Sequence, residues 1–255
     1  MPWRRPLLDQ LWLNQRSFWR NPESAFFSFA MPLGVLLIFG ATSRHDTVPA
    51  RSDVDVVTLF VPGILAFGIV VVAYGSLAAT IALLRADGVL KRIRATPLNP
   101  AIYLGGQILS VLVIALLISV ATIAAGGLAF GALPRTAAVP QLLAMVALGI
   151  TCFAALGLAI SAIIPTADSA GAVTNATYLP LAMVSGMFSA SLQLPSTINT
   201  IVGAFPLKAL SDGLRSTYDP AARGFPLGDV GVLAAWAIAG ILLARRCFRW
   251  QPSSS

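Results

Sequence analysis

Charge is what this 255-residue sequence has least of. Asp, Glu, Lys and Arg together make up 11% of it, whereas a soluble domain carries about 25%. Hydrophobic residues make up 57%, which excludes a soluble globular protein and indicates an integral membrane protein. The apolar runs are as long as helices, not the short alternating strands of an outer-membrane barrel. The sequence therefore predicts an all-α polytopic membrane protein that forms a single domain over residues 1–255.

Groups that support catalysis or bind metals are also scarce. His45 is the only histidine and has no second ligand near it in sequence, so we predict no metal site. The two cysteines, Cys152 and Cys247, lie in or at the end of apolar runs, and we predict no disulfide framework. The acids are scattered and none falls at the middle of a run, so the sequence names no catalytic residue. The net charge of +7 flanks the apolar runs, which favours contact with anionic lipid over nucleic acid.

The apolar runs predict six transmembrane helices with both ends of the chain in the cytoplasm. About 20 apolar residues are needed to cross the hydrocarbon core. In this orientation Lys and Arg number 11 on the inner side and 6 on the outer side, as the positive-inside rule requires. The charged, aromatic N-terminus predicts no cleavable signal peptide. The predicted spans are residues 24–42, 57–84, 102–133, 140–164, 170–188 and 230–244.

Residues 3–22, ahead of the first span, predict an amphipathic helix that lies on the cytoplasmic leaflet. Tryptophans in this stretch suit the headgroup boundary. A helix that leads into the bundle without membrane contact remains the alternative. The apolar side chains that we expect on one helical face are Leu7, Leu8, Leu11, Trp12 and Phe18.

Three spans carry residues that predict local geometry. The second is long enough to tilt, or to bend near Pro62 and Gly63. In the third, the spacing of Gly127 and Gly131 predicts close approach of another helix. The fifth is the most polar, and its hydroxyls and amide either bind neighbouring helices or contact a substrate. Thr166 or Asp168 is expected to cap it.

Residues 189–229 are half apolar and are broken by four prolines, so neither half can span the membrane. Irregular backbone at membrane depth must be buried in protein. We therefore predict a re-entrant outer hairpin of two short helices before the last span.

The basic stretch 85–100 is the strongest charged island between two apolar runs. Four basic side chains, including Arg85, stand there against the single acid Asp87, which predicts a cytoplasmic loop. Val89, Leu90 and Ile93 fall on one face of a short helix, which Pro97 would end. This helix either anchors the topology or docks a cytoplasmic partner that moves the spans.

Residues 87–98, DGVLKRIRATPL, resemble the inner loop of the type-2 permease family of ATP-binding-cassette exporters. That loop typically reads acid–Gly–Thr–Leu–Glu–Arg–Leu–x–x–Thr–Pro–Leu. The departures are Val89 for Thr and Lys91 for Glu, and the second reverses a charge. The family's other signature is similar to Leu179-Pro180, Ser185-Gly186, Leu194-Pro195, Phe205-Pro206 and Leu214-Arg215.

The resemblance implies a permease subunit that exports a drug-like, lipid-like or other amphipathic substrate by alternating access in the inner (plasma) membrane of a bacterium. The sequence has no G-x-x-x-x-G-K-[ST] motif, so this chain is not expected to be an enzyme, and ATP and Mg would bind a separate ATPase subunit. A second copy or a close relative would complete the path. A secondary transporter or a non-transporting assembly subunit remains the alternative.

The resemblance also implies roles for particular residues. The residues that would couple the permease to the ATPase subunit, its motor, are Asp87, Val89, Leu90, Lys91, Arg92, Ile93 and Arg94. The substrate path would be lined by Phe60, Phe67, Tyr74, Asn175, Tyr178 and Phe188. The outer gate would include Pro195, Phe205, Pro206 and Arg215.

Overall fold

A computed structural model of the protein describes residues 4–43, 47–48, 51–94, 100–166, 168–186, 196–222 and 224–247. Within these ranges the chain is a bundle of α-helices. The helices are α1 (Arg4–Arg20), α2 (Pro22–Thr42), α3 (Val56–Val70), α4 (Leu77–Ala86), α5 (Val89–Arg94), α6 (Pro100–Phe130), α7 (Val139–Ser161), α8 (Ser169–Val184), α9 (Ser196–Gly203), α10 (Pro206–Tyr218) and α11 (Leu227–Cys247).

Five helical stretches are long and apolar enough to cross a membrane, and they confirm five of the six predicted spans. Over the other predicted span, 170–188, the helix α8 has only 16 residues, fewer than the roughly 20 that a crossing needs. The count of six therefore stays a prediction. The five stretches are Ala25–Thr42, Val56–Ala86, Ile102–Phe130, Thr136–Ser161 and Leu227–Arg246.

The connection from α2 to α3 is not purely a loop. Two short antiparallel strands, β1 (Thr47–Val48) and β2 (Arg51–Asp55), pair there, and the other elements of the described chain are helical, as the predicted all-α fold class requires. His45 lies outside the described residues. The strand pair precedes the central helix α3.

The centre of the bundle is one helical rod, Val56–Ala86, made of α3, a π-helical segment (Val71–Ser76) and α4. Its residues are apolar on all sides, and a helix of that kind is buried rather than set at a surface. Helices α2, α6, α7 and α10 pack around it. Phe67, Ile64 and Leu77 are among its fully buried side chains. The second predicted span is therefore the core of the bundle.

The structure shows a π-helical segment in this rod, and the tilt or the bend expected near Pro62 and Gly63 stays a prediction. Helix α3 continues through Pro62, and the π-helical segment begins at Val71. Carbonyl oxygens of this segment point at Gly157 on α7: a Cβ there would lie 2.8 Å from the oxygen of Tyr74 and 2.9 Å from that of Ala73. Glycine at 157 therefore lets α7 contact the π-helical backbone directly.

The glycine pair in α6 does not pack against another helix, so that prediction is wrong. Gly131 follows the last residue of α6 with φ of +70°. Its N–H donates to Gly127 at 3.0 Å, and that of Ala132 donates to Gly126 at 3.1 Å. This is the pattern that ends a helix with a left-handed glycine. The two glycines accommodate the chain's own turn.

Helix α1 confirms the predicted helix in the 3–22 stretch, and its apolar side chains differ in burial. Leu7 and Phe18 are half-buried toward the bundle, while Leu8 and Trp12 are exposed. Gln15 donates to the Ser110 carbonyl on α6 at 2.9 Å. The predicted apolar face is therefore partly covered by the bundle and partly exposed. Exposed Leu and Trp are the side chains that a helix at a lipid interface presents.

Gly157→Ala should destabilise the fold by about 1–3 kcal/mol, because the new methyl group meets backbone oxygens that cannot rotate away. Thermal unfolding of the purified protein in lipid nanodiscs measures the effect. Gly231→Ala on α11 is the matched control, since a Cβ there meets nothing within 4 Å. Equal unfolding temperatures for the two variants would contradict the close contact.

Candidate functional site

Three of the predicted path residues form one aromatic cluster where the central rod meets α8. The rings of Tyr74 and Tyr178 lie 6.3 Å apart in an edge contact, and those of Phe67 and Tyr178 lie 6.2 Å apart. The hydroxyls of Tyr74 and Thr177 are hydrogen-bonded at 2.7 Å. Phe67 and Tyr74 are seven residues apart, which places both on the same side of the rod. The cluster thus joins the π-helical segment to the middle of α8.

A groove of about 340 Å³ opens beside this cluster, between α7, α8, α11 and the start of α10. Its lining is almost entirely apolar, and it includes both tyrosines of the cluster together with Phe205 and Pro206. Phe205 stacks on Trp236 with ring centroids 6.2 Å apart. The indole N–H of Trp236 donates to Ala204 at 2.8 Å. Residues predicted for the path and residues predicted for the outer gate therefore line the same groove.

The other predicted path residues lie apart from the groove. Phe60 is buried in the core and stacks on Phe39 at 5.3 Å. Asn175 is on the exposed side of α8. Phe188 lies outside the described residues. Their roles in a path stay predictions.

Arg215, predicted for the outer gate, ties α10 to two other helices. Its Nε–H donates to the Leu59 carbonyl on α3 at 3.3 Å, and another guanidinium nitrogen donates to the carbonyl of Gly186, just after α8. Gly186 has φ of +73°, so glycine suits this turn. Burial lowers the pKa of Arg215, which the Asp212 carboxylate partly offsets, yet an arginine stays charged. Leu214-Arg215 and Ser185-Gly186, two separate motifs of the family's other signature, are therefore joined by one hydrogen bond.

Arg135 also holds the C-terminal end of α10, and the sequence counted it only as an outer charge. From the turn between α6 and α7 its guanidinium donates to Ser216 at 2.9 Å and to Ala222 at 2.8 Å. Its backbone N–H donates to Thr217 at 3.0 Å. Carbonyls in the last turn of a helix have no partner within that helix. Arg135 therefore caps α10. Pro195, the remaining gate residue, lies outside the described residues.

The predicted coupling loop contains the expected short helix, α5. Asp87 and Arg92 are exposed, while Val89 and Ile93 are half-buried. Gly88, between α4 and α5, has φ of +67°, which glycine adopts most readily. The helix is confirmed, and the coupling role stays a prediction. The side chains of Leu90, Lys91 and Arg94 and residues 95–99 lie outside the description.

Arg85, at the end of α4, is buried and only 7% exposed. Its guanidinium donates to the carbonyl of Ile164, in the turn that leads from α7 to α8. In the sequence, Arg85 counts only as a cytoplasmic charge. One feature of the sequence could have predicted this contact. Arg85 lies within the last turn of an apolar helix rather than in the loop that follows it.

A second cavity, of about 330 Å³, lies between α1, the central rod and α6. No residue of it was predicted as functional. Its polar side chains are uncharged: Asn14, Ser17, Asn21, Ser76, Thr80, Tyr103, Gln107 and Ser110. A cavity of this size and polarity can hold several waters.

The chain was compared with known families and proteins. A family model described as "ABC-2 type transporter" matches residues 10–218. The match runs from α1 through α5, the aromatic cluster and α10, and so covers well over half of the 255 residues. No curated protein matches the chain.

Arg215→Met should lower the unfolding free energy by about 2–4 kcal/mol, since it removes a buried group that bonds to two helices. Lys208→Met is the control on the same helix, because the Lys208–Asp212 pair is partly exposed and is worth at most about 1 kcal/mol. Chemical unfolding in mixed micelles measures both. A larger loss for Lys208→Met would contradict the role assigned to Arg215.

Proposed function

This chain belongs to the ABC-2 type transporter family, and we propose that it is the membrane permease subunit of an exporter that carries an amphipathic, drug-like or lipid-like substrate outward by alternating access. The observation that carries the proposal is the family match, which spans both the helical bundle and the short helix α5. Membership in this family implies an ATP-binding partner subunit. The permease supplies the path, and hydrolysis takes place in that partner.

Helix α5 is the surface that we assign to the ATPase subunit. It lies between two membrane-spanning stretches, and its half-buried Val89 and Ile93 contrast with the exposed Arg92. The helix has three basic residues and no acid, so it suits an acidic groove on a partner. The same charges support a cytoplasmic position for this loop, and hence cytoplasmic termini in a bacterial inner membrane.

The groove beside Tyr74 and Tyr178 supports an amphipathic substrate. Its walls offer apolar contact, and the hydroxyl of Tyr74 already bonds to Thr177. An apolar moiety would gain by burial there, since each buried CH₂ group contributes about 0.8 kcal/mol. A polar head would stay outside the groove.

A second permease copy is supported by the exposed side of α8. Asn175 lies there among small and apolar neighbours, and a polar side chain at membrane depth faces protein or a wet path rather than lipid. Two copies that face each other across α8 would cover Asn175. ATP binding to the ATPase subunits needs to favour one gate state over the other by only a few kcal/mol.

Leu90→Asp with Ile93→Asp should abolish ATP-driven transport, because carboxylates replace apolar side chains on the helix that we assign to the ATPase. The measurement is ATP hydrolysis and vesicle transport by the permease purified with the ATPase encoded beside it. Arg246→Asp, exposed at the end of α11, is the control for an added acid. Permease that binds no ATPase, or that transports on an ion gradient alone, would contradict the proposal.

Tyr74→Phe should change the substrate KM by about three- to tenfold, because it removes the hydroxyl that is bonded to Thr177 beside the groove. Tyr103→Phe removes one hydroxyl at the other cavity and should leave KM unchanged. Concentration-dependent transport in proteoliposomes measures both. Equal KM values for wild type and Tyr74→Phe would contradict a path beside Tyr74.

A further inference from the structure

Arg85 is placed so that a movement of α5 can reach α8 through it. It is buried at the end of α4, and its guanidinium donates to the Ile164 carbonyl. A buried charge is costly unless hydrogen bonds satisfy it, so this side chain holds a fixed position. Ile164 lies five residues before Ser169, the first residue of α8. The contact therefore joins the end of one helix to the start of another.

A chain of hydrogen bonds connects α5 to Arg85. The N–H of Asp87 donates to Leu83 at 2.9 Å, and that of Gly88 donates to Arg85 at 3.1 Å. The Arg92 guanidinium donates back to the Asp87 carbonyl at 3.0 Å, and its N–H donates to Gly88 at 3.0 Å. Helix α5 is thus bonded across the turn to the last turn of α4. A displacement of α5 should reach Arg85.

The segment from Ile164 to α8 is equally constrained. Pro165 restricts the backbone of Ile164. The Thr166 hydroxyl accepts from the Ser169 N–H at 3.2 Å, and the Ser169 hydroxyl donates to the Thr166 carbonyl at 2.9 Å. Thr166, not Asp168, therefore caps α8. The start of α8 should follow any movement of Ile164.

Small side chains bring α4 and α8 into direct contact beside this bond. Ala78 and Ala82 of α4 form a buried cluster with Ile164 and Ala170. Alanines at such a contact let helices approach closely. The bond from Arg85 thus lies at the edge of a packed interface between α4 and α8.

We propose that Arg85 is a positioning residue that makes α4, α5 and α8 move as one body, so that closure of the ATPase subunits on α5 displaces α8. This inference rests on the proposed function. Helix α8 carries Thr177 and Tyr178 at the groove and leads to Gly186, which Arg215 holds. Movement of α8 therefore changes the groove and the contact with α10 together.

The first arm of the test needs no ATPase. Hydrogen–deuterium exchange is measured on the permease alone in nanodiscs, for wild type, Arg85→Met and Arg245→Met. Arg245 is exposed at the end of α11 and serves as the control cation. Arg85→Met should speed exchange in the first turns of α8 by about tenfold or more and leave α11 unchanged. Unchanged exchange in α8 would overturn the proposal.

The second arm uses the complex with the ATPase. Arg85→Met should keep assembly and basal ATP hydrolysis within about twofold of wild type and lose transport per ATP by about tenfold. If Arg85 only stabilises the fold, Arg85→Met should lower the unfolding temperature and leave transport per ATP unchanged. That result would overturn the proposal. If wild type itself shows no ATP-driven transport, the proposed function fails, while the first arm still decides whether Arg85 ties α4 to α8.

Two further variants keep the test decisive if Arg85→Met does not fold. Arg85→Lys retains the charge with fewer donors, and it should reduce transport per ATP by about threefold. Ala82→Cys with Ala170→Cys, in a chain without Cys152 and Cys247, should form a disulfide that restores coupling to Arg85→Lys and is reversed by reductant. Full coupling in Arg85→Lys, or no rescue by the disulfide once it has formed, would overturn the proposal.

Discussion

The structure depends on how the carbonyl groups at its helix ends are satisfied. The last carbonyls of every helix lack a partner within it, and at membrane depth each unpaired group costs several kcal/mol. Several arginines of the described residues donate to carbonyls at a helix end or in the turn just beyond it. Arg85 donates to Ile164 after α7, Arg215 to Gly186 after α8, and Arg135 to the end of α10. An arginine has five donors, so one side chain can satisfy carbonyls on two segments.

This constraint explains how α8 is held although it is shorter than a crossing. One arginine bonds to the turn before α8, another bonds to the turn after it, and Thr177 in the middle bonds to Tyr74. All three contacts connect α8, directly or through α10, to the central rod. The rod is also the element that carries α5. The helix with the groove residues is thereby attached along its length to the helical rod that leads to α5, the surface proposed for the ATPase.

Features that depend on composition or local pattern could be predicted from the sequence. The scarcity of charge predicted an integral membrane protein, and the apolar runs predicted the five spans that the structure confirms. The spacing of Val89 and Ile93 predicted helix α5. The half-apolar, proline-broken composition of residues 189–229 predicted two short helices before the last span, and α9 and α10 lie there. Their depth in a membrane stays a prediction.

Features that depend on a distant partner could not be predicted. The arginines donate to backbone carbonyls, which every residue has, so no side chain marks the acceptor. Gly157 and Gly131 look alike in sequence, yet one admits a neighbouring backbone and the other ends a helix. The π-helical segment has no residue pattern of its own, and the sequence therefore does not predict it. Helix α1 buries only part of its apolar face because α6 covers that part, which its own sequence does not encode.

The central claim is that α8 moves with α4 and α5 when the ATPase subunits close. Distances between pairs of spin labels, measured by electron–electron double resonance, test it most directly. They are measured in the complex with and without an ATP analogue, and labelled copies are diluted among unlabelled ones. Labels at the exposed positions Leu83, Ala176 and Ala235 report on α4, α8 and α11. The account predicts an unchanged distance from α4 to α8 and a distance from α8 to α11 that shifts by several ångströms, about the size of known interface helix shifts. A shift between α4 and α8 with a constant distance from α8 to α11 would contradict it.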